Sequence, residues 1–481
     1  MTAEQWQQGN LLEVTIASLS DRGDGVGRWG ERVVFVPQTV PGDRVSVRLL
    51  RVKPQYAQGK VHELFVPSPE RIRPRCFVAD KCGGCQWQQV SDAAQQQAKV
   101  QLVVDAIERI GGFTIAQGTA PAVPSTVIAP ILTGPSSLRY RNKATYPLGR
   151  AAASKSANKA VQAGYYRQGT HQIVNLNQCP VQDERLDPLL AGVKQDIAQR
   201  GWSIYDATKH QGRLRHLALR IGRRTGEMLL TLVSQERDLQ GLPAQAAAWQ
   251  AQYPNLVGVC VNLNTQRGNV IFGDRTHCIA GRDYLYEEFA GLRLQLRPET
   301  FFQINTEAAE TLLAKISQWL DLQGTETLLD AYCGIGTFTL PLARQLAQAI
   351  GVETQAAAIA LAETNAQLNQ IENATFHCAA VEDWLAQTTA CPDIVLLDPP
   401  RKGCDRAVLE QLRRLAPPRI VYISCKPATL ARDLKLLCAS GQYQLTQVQP
   451  ADFFPQTPHV ECAAFLQHCA PNPTDHGGQP G

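Results

Sequence analysis

The stretch that decides the fold spans residues 419–433 and reads Arg-Ile-Val-Tyr-Ile-Ser-Cys-Lys-Pro-Ala-Thr-Leu-Ala-Arg-Asp. Its positions 420–423 are β-branched or aromatic, as in a buried strand. Pro427 prevents further sheet pairing, and 428–437 has a helical pattern. Cys425 therefore lies where a strand ends, the place where open α/β sheets bind their ligands. Because buried structural cysteines are also common, the meaning of Cys425 depends on two earlier stretches.

The first of these stretches contains a glycine turn. Residues 327–340 read Thr-Leu-Leu-Asp-Ala-Tyr-Cys-Gly-Ile-Gly-Thr-Phe-Thr-Leu. Gly334 and Gly336 permit a tight turn before a helix predicted over 337–348. Thr339 replaces the third glycine of a dinucleotide fingerprint, which argues against NAD or FAD. The next strand ends in Glu353, 17 residues beyond Gly336, where a carboxylate can accept hydrogen bonds from ribose hydroxyls. The pattern predicts an S-adenosylmethionine site.

The second stretch brings another acidic residue to the same edge. Residues 394–397 form an apolar strand that is followed by Asp398-Pro-Pro-Arg401. From residue 301 onward strands and helices alternate, which predicts a parallel, doubly wound α/β sheet. Glycine turn, acid, Asp-Pro-Pro-Arg and strand-Cys recur in order along this sheet, so a catalytic site is favoured over a structural role for Cys425.

Length and composition limit the number of domains, the location of the protein and the use of its cysteines. The chain has 481 residues, a net charge of +4 and 44% hydrophobic residues, enough for about three domains. It has no run of 18 apolar residues, and its N-terminus is polar, so we expect a cytoplasmic protein without membrane segments. Fourteen cysteines without an export signal favour metal ligation or catalysis over disulfides. We expect a monomer.

Residues 11–66 have the pattern of a small all-β module. Five alternating runs separated by glycine turns predict an OB-like barrel. Trp29, Phe35 and Tyr56 lie among its cations, and positive charge with aromatic faces is typical of RNA binding. A charged barrel surface is the alternative. The cations are Arg22, Arg28, Arg32, Arg44, Arg48, Arg51, Lys53 and Lys60.

A group of cysteines follows the barrel. Cys76, Cys82 and Cys85 lie within ten residues, and the sequence around Cys179 supplies a fourth thiolate followed by proline. Four such ligands suit either zinc or an iron–sulfur cluster, and their spacing does not separate the two. Either way, a bound metal is favoured over idle cysteines.

The region between the cysteines and residue 290 predicts an α+β domain. A helix is expected over 91–110, and several alternating runs predict an antiparallel sheet, listed here as 164–167, 216–220, 227–233, 257–264 and 269–272. Residues 151–160 are low in complexity and are expected to form a mobile insertion. Polar positions of this sheet suit either an RNA cleft or a solvent face.

Taken together, these motifs resemble the RNA uracil-5-methyltransferases that use S-adenosylmethionine, and within them the branch with an iron–sulfur cluster that modifies 23S ribosomal RNA. The resemblance spans nearly the whole chain and extends to three further motifs, Phe-Phe-Gln-Ile-Asn at 301–305, Ser-Cys-Lys-Pro-Ala-Thr at 424–429 and Phe-Pro-Gln-Thr-Pro-His-Val-Glu at 454–461. It implies a TRAM domain over 8–66, a central α+β domain over 67–295, a Rossmann-like methyltransferase domain over 296–470 and a disordered tail over 471–481.

The resemblance also assigns roles to residues. It implies catalysis by Cys425 and Glu461, and a [4Fe–4S] cluster on Cys76, Cys82, Cys85 and Cys179. It implies cofactor contacts from Gln303, Tyr332, Gly334, Gly336, Thr337, Glu353 and Asp398. Thr337 and Ala380 depart from residues that are common in relatives.

Uracil chemistry explains why these residue types are needed. Carbon 5 of uracil becomes nucleophilic when a thiolate adds to carbon 6, a task suited to Cys425. A base must then remove the carbon 5 proton, and the apolar surroundings of Glu461 predict the raised pKa of a proton acceptor. Arg401 is expected near the RNA backbone, and the target base must leave its stack.

Two other functions remain to be weighed. An amino-N-methyltransferase also uses an Asp-Pro-Pro loop but places an aromatic residue where this chain has Arg401. A non-catalytic RNA-binding factor would not need the intact set of glycine turn, acids and cysteine. Ribosomal 23S RNA is the favoured substrate, and the T-loop of transfer RNA is the alternative.

Overall fold

The computed structural model describes residues 6–116, 126–150 and 160–469. The predicted tail over 471–481 and nearly all of the predicted insertion over 151–160 lie outside these residues. None of the helices in the described ranges is long and apolar enough to cross a membrane.

The N-terminal segment forms a closed five-stranded barrel with strand order β1-β2-β3-β5-β4. The alternation in the sequence places Leu12, Val14 and Ile16 inside the barrel. The predicted all-β module is confirmed. Its strands are β1 (Leu11–Leu19), β2 (Gly25–Trp29), β3 (Arg32–Val36), β4 (Arg44–Val52) and β5 (Tyr56–Val66).

Helix α1 (Asp92–Ala106) follows the cysteine-rich loop and is extended by a π-turn over Ile107–Gly111. The Ser91 hydroxyl accepts a hydrogen bond from the Ala94 N–H at 3.2 Å and caps the helix, as predicted. Two short strands come next, β6 (Val127–Ile128) and β7 (Leu132–Thr133).

The central region contains a six-stranded sheet with order β13-β12-β11-β10-β8-β9 and helices on one face. The prediction of an antiparallel sheet is wrong for one pair, since β11 and β12 are parallel. Helix α3 connects them, and a crossover of this kind returns the chain in the same direction. The elements are β8 (Lys143–Arg150), β9 (Val161–Ala163), α2 (Asp187–Gln199), β10 (Leu214–Ile221), β11 (Met228–Ser234), α3 (Leu242–Gln252), β12 (Leu256–Leu263) and β13 (Arg275–Gly281).

Two predicted strands of this sheet are displaced. The strand expected at 164–167 ends earlier, at Ala163, because Gly164 lies against the Val174 carbonyl, 1.8 Å from where a Cβ would sit. The strand expected at 269–272 begins later, at Arg275. There the Asn264 side chain donates to the Val270 and Ile271 carbonyls at 2.7 and 2.9 Å and holds the chain in a loop.

The C-terminal half is a doubly wound sheet with order β18-β17-β16-β19-β20-β22-β21-β6. Strands β16 to β20 are parallel to one another, and β22 is antiparallel to both β20 and β21. The elements are the hairpin β14 (Leu285–Phe289) and β15 (Leu292–Leu296), then α4 (Thr306–Leu320), β16 (Thr327–Asp330), α5 (Thr339–Ala343), β17 (Gln348–Glu353), α6 (Ala356–Leu368), β18 (Ala374–Cys378), α7 (Val381–Gln387), β19 (Ile394–Leu397), α8 (Arg406–Leu415), β20 (Arg419–Ser424), α9 (Pro427–Cys438), β21 (Tyr443–Asp452) and β22 (Glu461–His468).

The helix after the glycine turn is shorter than the predicted 337–348. Helix α5 ends at Ala343, and β17 already begins at Gln348. The Asn373 side chain donates to the Ala343 and Leu346 carbonyls, both at 2.8 Å, and so satisfies the helix end early.

Part of the predicted central domain packs with the C-terminal sheet. Val103 and Ile107 share a core with Leu430 of α9, and β6 and β7 pair with β21. A sequence boundary at residue 296 therefore separates segments that share one core.

Candidate active site

Five strands deliver candidate residues to one edge of the sheet. The order of the sheet reverses between β16 and β19, and parallel strands present their carboxyl ends together at such a point. Strand β22 runs the other way, and Ser424 pairs with Cys462 across it. Since β22 begins at Glu461, the carboxylate starts opposite the place where Cys425 follows β20.

The glycine turn lies at the end of β16. Gly334 and Gly336 have φ values of +53° and +82°, which other residues rarely adopt. A Cβ on Gly336 would lie 2.9 Å from the Leu340 side chain. Thr339, which stands in place of a third glycine, donates its hydroxyl to Asp330 Oδ2 at 2.6 Å. The turn is therefore narrow, and it presents backbone to a ligand, as a cofactor site requires.

Asp330 belongs to the site although sequence reasoning missed it. It ends β16, and burial raises its pKa to about 6, with the nearby Glu353 acting in the same direction. Its position at the end of a strand just before the glycine turn was the signal that could have found it.

Glu353 ends β17 and is held by the turn that follows. Its Oε1 accepts hydrogen bonds from the Gln355 N–H at 2.9 Å and the Thr354 hydroxyl at 3.0 Å. Within the described residues, its Oε2 has no hydrogen-bond donor. One carboxylate oxygen thus fixes the side chain and the other remains free for the ribose expected there.

Gln303 connects the central region with the site. Its Nε2 lies 3.4 Å from Asp398 Oδ2, and its backbone carbonyl accepts a hydrogen bond from Asn142 Nδ2 at 2.8 Å. Asn305 then caps α4 by accepting from the Ala308 N–H at 3.2 Å. The amide of Gln303 is therefore buried and oriented from both sides.

Cys425 is half-buried and lies among charged groups. Burial raises the pKa of its thiol, and the carboxylates of Glu461 and Asp398 act in the same direction. The charge of the Arg401 guanidinium opposes them. Arg401 is therefore close enough to act on the thiol, and the expectation that it lies near the RNA backbone stays a prediction. The guanidinium is placed to stabilise a thiolate.

Glu461 is only 6% exposed. Burial raises its pKa to about 8, Asp398 adds to this, and Arg401 opposes it. Burial and Asp330 likewise raise the pKa of Asp398 to about 7. Three buried carboxyl groups thus interact in sequence along the sheet edge, and such perturbed groups in a cleft are typical of catalytic sites.

A buried network holds the loop that carries Arg401. The Tyr422 hydroxyl donates to Asp433 Oδ2 at 2.6 Å, and the Cys404 N–H donates to the same oxygen at 2.9 Å. The Thr429 hydroxyl lies 3.4 Å from the Arg401 carbonyl. Strand β20 and helix α9 thereby fix the loop on both sides of the guanidinium.

The four predicted metal ligands lie in one neighbourhood. Cys85 and Cys179 pack in the same apolar cluster, the charge of Cys76 acts on Cys82, and that of Cys82 acts on Cys179. All fourteen cysteines are free thiols. Nevertheless, among the residues that the structure describes, no three His, Cys, Asp or Glu side chains meet in an arrangement that could hold a metal ion. Burial raises the pKa of each of the four thiols, so the protein alone does not hold them as the thiolates that a metal binds.

Comparison with known proteins identifies the family to which this fold and site belong. The family described as tRNA (Uracil-5-)-methyltransferase matches residues 269–469, and the TRAM domain matches residues 5–62. A protein of Nostoc sp. named as an uncharacterized RNA methyltransferase is 61% identical over 466 residues, which cover 97% of this chain and 98% of that protein. The chain belongs to the uracil-5-methyltransferase family of RNA methyltransferases.

Similar proteins extend to other organisms. An RNA methyltransferase of Halalkalibacterium halodurans is 36% identical over 464 residues, covering 96% of this chain and 97% of that protein. The solved structure of the Pyrococcus abyssi tRNA (uracil-54, C5)-methyltransferase in complex with S-adenosyl-L-homocysteine matches with a TM-score of 0.73 at 26% identity, covering 95% of this chain and all of that chain.

These findings confirm the family and the cofactor that the sequence predicted. This RNA methyltransferase depends on S-adenosylmethionine, and its N-terminal barrel is a TRAM domain, a module that binds RNA. The roles of individual residues, the cluster and the choice of RNA stay predictions.

Proposed function

We propose that this methyltransferase transfers a methyl group to carbon 5 of a uridine in 23S ribosomal RNA through a covalent bond between Cys425 and carbon 6. One observation carries the chemistry. Ser424 pairs with Cys462, so Cys425 and Glu461 occupy the next positions on opposite sides of the β20–β22 pair. The charge of Arg401 lowers the pKa of both groups. A nucleophile and a base at one edge of a cofactor-binding sheet suit addition followed by elimination.

The proposed reaction proceeds by addition, methyl transfer and elimination. Cys425 loses its proton to water, and Arg401 stabilises the thiolate. The sulfur then forms a bond to carbon 6 of the uracil ring, which makes carbon 5 nucleophilic. S-adenosylmethionine, when bound, would supply the electrophilic methyl group to carbon 5, with S-adenosylhomocysteine as the leaving group. The Glu461 carboxylate takes the proton from carbon 5, the bond between sulfur and carbon 6 breaks, and the thiolate returns.

Cofactor positioning in this proposal uses residues that the sequence singled out. Gly334, Gly336 and Thr337 form the turn, and Glu353 accepts the ribose hydroxyls through its free oxygen. Tyr332 lies between Asp330 and this turn, beside the adenosine expected there. Gln303 and Asp398 orient the uracil edge or the cofactor amine from the side of α4.

A covalent adduct tests this chemistry directly. RNA that contains 5-fluorouridine lacks the proton that Glu461 removes, so the adduct should persist on a denaturing gel with wild-type protein and cofactor. Cys425→Ala should form none, and Cys278→Ala, at an exposed cysteine elsewhere, should behave as wild type. A folded wild type without any adduct would overturn the mechanism. It would also reopen the amino-N-methyltransferase and the non-catalytic alternatives.

The RNA substrate has two candidates. The 23S assignment is supported by the resemblance to the branch with four cluster cysteines, all of which are present. The solved relative from Pyrococcus abyssi acts on uracil 54 of tRNA, which favours transfer RNA. Methylation assays on both purified RNAs discriminate between them, and activity on transfer RNA alone would replace the substrate while leaving the chemistry intact.

We also propose a [4Fe–4S] cluster on Cys76, Cys82, Cys85 and Cys179. Support comes from the resemblance, from the packing of Cys85 and Cys179 in one apolar cluster and from the absence of disulfides. Protein purified without oxygen should contain about four iron and four sulfide per chain, and Cys179→Ser should lose them while Cys278→Ser keeps them. Stoichiometric zinc without iron would assign the same ligands to zinc instead.

The barrel offers a surface for the RNA. A cleft of about 490 Å³ is lined in part by Arg22, Phe35 and Tyr56. The two rings meet edge to face at 6.1 Å, and Tyr56 is exposed. An exposed ring beside a cation suits a stacked base and its phosphate. In this proposal the protein acts as a cytoplasmic monomer.

A further inference from the structure

We infer that Gln95 and Lys99 of α1, together with the segment directly after Cys85, position Glu461 for proton removal. They do so by fixing residues 453–460, called here the entry loop, which leads from β21 into β22. The inference rests on the proposed function of Glu461 and assigns new positioning residues to it. Its basis is a set of contacts between parts of the chain that lie more than 300 residues apart.

Gln95 binds the entry loop with both ends of its amide. Its Oε1 accepts a hydrogen bond from the Gln456 N–H at 2.8 Å, and its Nε2 donates to Gln456 Oε1 at 3.2 Å. The same Nε2 donates to the carbonyls of Trp87 and Val90 at 3.1 and 2.9 Å. The side chain is 1% exposed, so no water competes for these bonds. One residue thereby ties α1, the end of the cysteine loop and the entry loop together.

Three consecutive carbonyls of the entry loop are held from outside it. Lys99 Nζ donates to the Phe454 carbonyl at 3.0 Å and forms an ion pair with Asp452. The Tyr140 hydroxyl donates to the Pro455 carbonyl at 3.0 Å. The Gln456 carbonyl accepts the N–H groups of Gln86 and Trp87, both at 3.1 Å. Because the entry loop is hydrogen-bonded at three successive peptide units, its end next to Glu461 has little conformational freedom.

The backbone of Gln456 indicates that these contacts impose a conformation. Its φ is +70°, a left-handed value that is sterically unfavourable for a residue with a side chain. Such a conformation persists only where the surroundings enforce it. Beyond it, Thr457 donates to the Phe454 carbonyl at 2.8 Å and accepts from the His459 N–H at 3.3 Å, which continues the rigid path towards Glu461.

Within the described residues, neither Gln95 nor Lys99 forms a hydrogen bond to Cys425. Cys425 follows β20, which pairs with β19 on the side away from β22 and the entry loop. Loss of the Gln95 contacts should therefore leave addition and methyl transfer in place and slow the removal of the proton. Because Gln86 and Trp87 directly follow Cys85, the conformation of the cysteine loop is transmitted to the base by the same contacts.

The test separates the two halves of the reaction. With ordinary uridine RNA, Gln95→Ala should lower turnover by about tenfold or more, as expected for a misplaced group. Methyl transfer in a single turnover should stay within about twofold, and the methylated covalent adduct should accumulate on a denaturing gel. Gln97→Ala, an exposed position on the same helix, is the matched control and should resemble wild type.

Other outcomes overturn the inference. Equal slowing of methyl transfer and turnover, or no change in either, would remove Gln95 from the positioning of Glu461. If Gln95→Ala melts at a much lower temperature than wild type, its rate of 5-fluorouridine adduct formation is measured where it stays folded; the inference predicts the wild-type rate there, because addition does not need the base. Absence of a 5-fluorouridine adduct in wild type would contradict the proposed function. That outcome is distinct from a failure of the Gln95 inference, which is judged from variants of an enzyme that does form the adduct.

Discussion

Glu461 keeps a carboxyl group in a place where its charge is poorly solvated. Burial is the largest cause of its raised pKa, and the nearby Asp398 adds to it while Arg401 acts in the opposite direction. A general base works best when its pKa lies near the working pH. The environment that makes Glu461 a suitable base therefore also makes it costly to ionise in the folded protein.

The cost has a measurable pH dependence. The pKa of Glu461 rises from its ordinary 4.5 to about 8 on folding, so the folded state holds the proton more tightly. Its contribution to stability is complete below pH 4.5 and is lost as the pH rises towards 8, by on the order of 4 kcal/mol. Glu461→Gln should remove this loss and be more stable than wild type at pH 8.

Denaturant unfolding at pH 5 and pH 8 checks this expectation. Glu363→Gln, at an exposed glutamate on α6, is the control and should follow wild type at both values. Parallel pH curves for wild type and Glu461→Gln would show that Glu461 is not the buried acid described here.

Sequence reasoning singled out Cys425 and Glu461, which are proposed here as nucleophile and base, because each stands in a local motif. It predicted the raised pKa of Glu461 from apolar neighbours in the chain, and burial is indeed the main cause. It missed Asp330 and the effect of the Arg401 charge on Cys425. Both depend on which strand ends lie side by side, and that is set by sheet order rather than by neighbours in sequence.

The loop between β19 and α8 depends on a buried hydrogen-bond network. One carboxylate oxygen of Asp433 on α9 accepts hydrogen bonds from the Tyr422 hydroxyl on β20 and from the Cys404 N–H. A Cβ at Gly403 would lie 2.4 Å from that carboxylate, so the loop approaches α9 closely. The three elements thereby hold Arg401 near the thiol that it is proposed to stabilise.

Removal of one hydroxyl should loosen this loop. Tyr422→Phe removes the hydroxyl donor at 2.6 Å, while Asp433 keeps the Cys404 N–H at 2.9 Å; a lost hydrogen bond to a charged group costs about 1.5–3 kcal/mol. We expect a loss of that size in the free energy of unfolding, and slower adduct formation because Arg401 is less well placed. The exposed Tyr166→Phe should change neither quantity, and equal effects of the two substitutions would contradict this role.

At the scale of elements, periodicity predicted the strands that bind the cofactor but not every connection. The parallel pair β11–β12 was missed because antiparallel and parallel strands have similar patterns when both faces are covered. Helix α5 was predicted too long because its end is set by Asn373, some 30 residues later in the chain. The pairing of β11 with β12 and the end of α5 both depend on residues that are distant in sequence.

At the scale of the whole molecule, hydrogen bonds and shared packing connect the cysteine loop, the barrel and the C-terminal sheet. Trp87 donates its indole N–H to the Gly23 carbonyl of the barrel at 3.1 Å, and its backbone N–H holds the entry loop. Segments that precede the central sheet in the chain join the C-terminal sheet, since β6 and β7 pair with β21 and α1 packs in the core beside α9. RNA held by the barrel is therefore held by a body that is directly connected to the active site.

The barrel cleft should contribute to RNA affinity without affecting the cofactor. Tyr56→Ala should weaken RNA binding by about 1–3 kcal/mol through lost stacking. Arg22→Ala should reduce the salt dependence of binding by about 0.7 in the logarithmic slope, the value for one phosphate of a single strand. Binding titrations at several salt concentrations check both, with S-adenosylmethionine affinity as the control. Unchanged RNA binding by both variants would place the RNA elsewhere.

The central claim is tested most directly by mass spectrometry of 5-methyluridine in separated 23S and transfer RNA from cells with and without this gene. The account predicts that the modification disappears from a site in 23S RNA, and that it returns with the wild-type gene but not with Cys425→Ala. Loss from transfer RNA alone would contradict the substrate. No loss from either RNA, or rescue by Cys425→Ala, would contradict the enzyme mechanism itself.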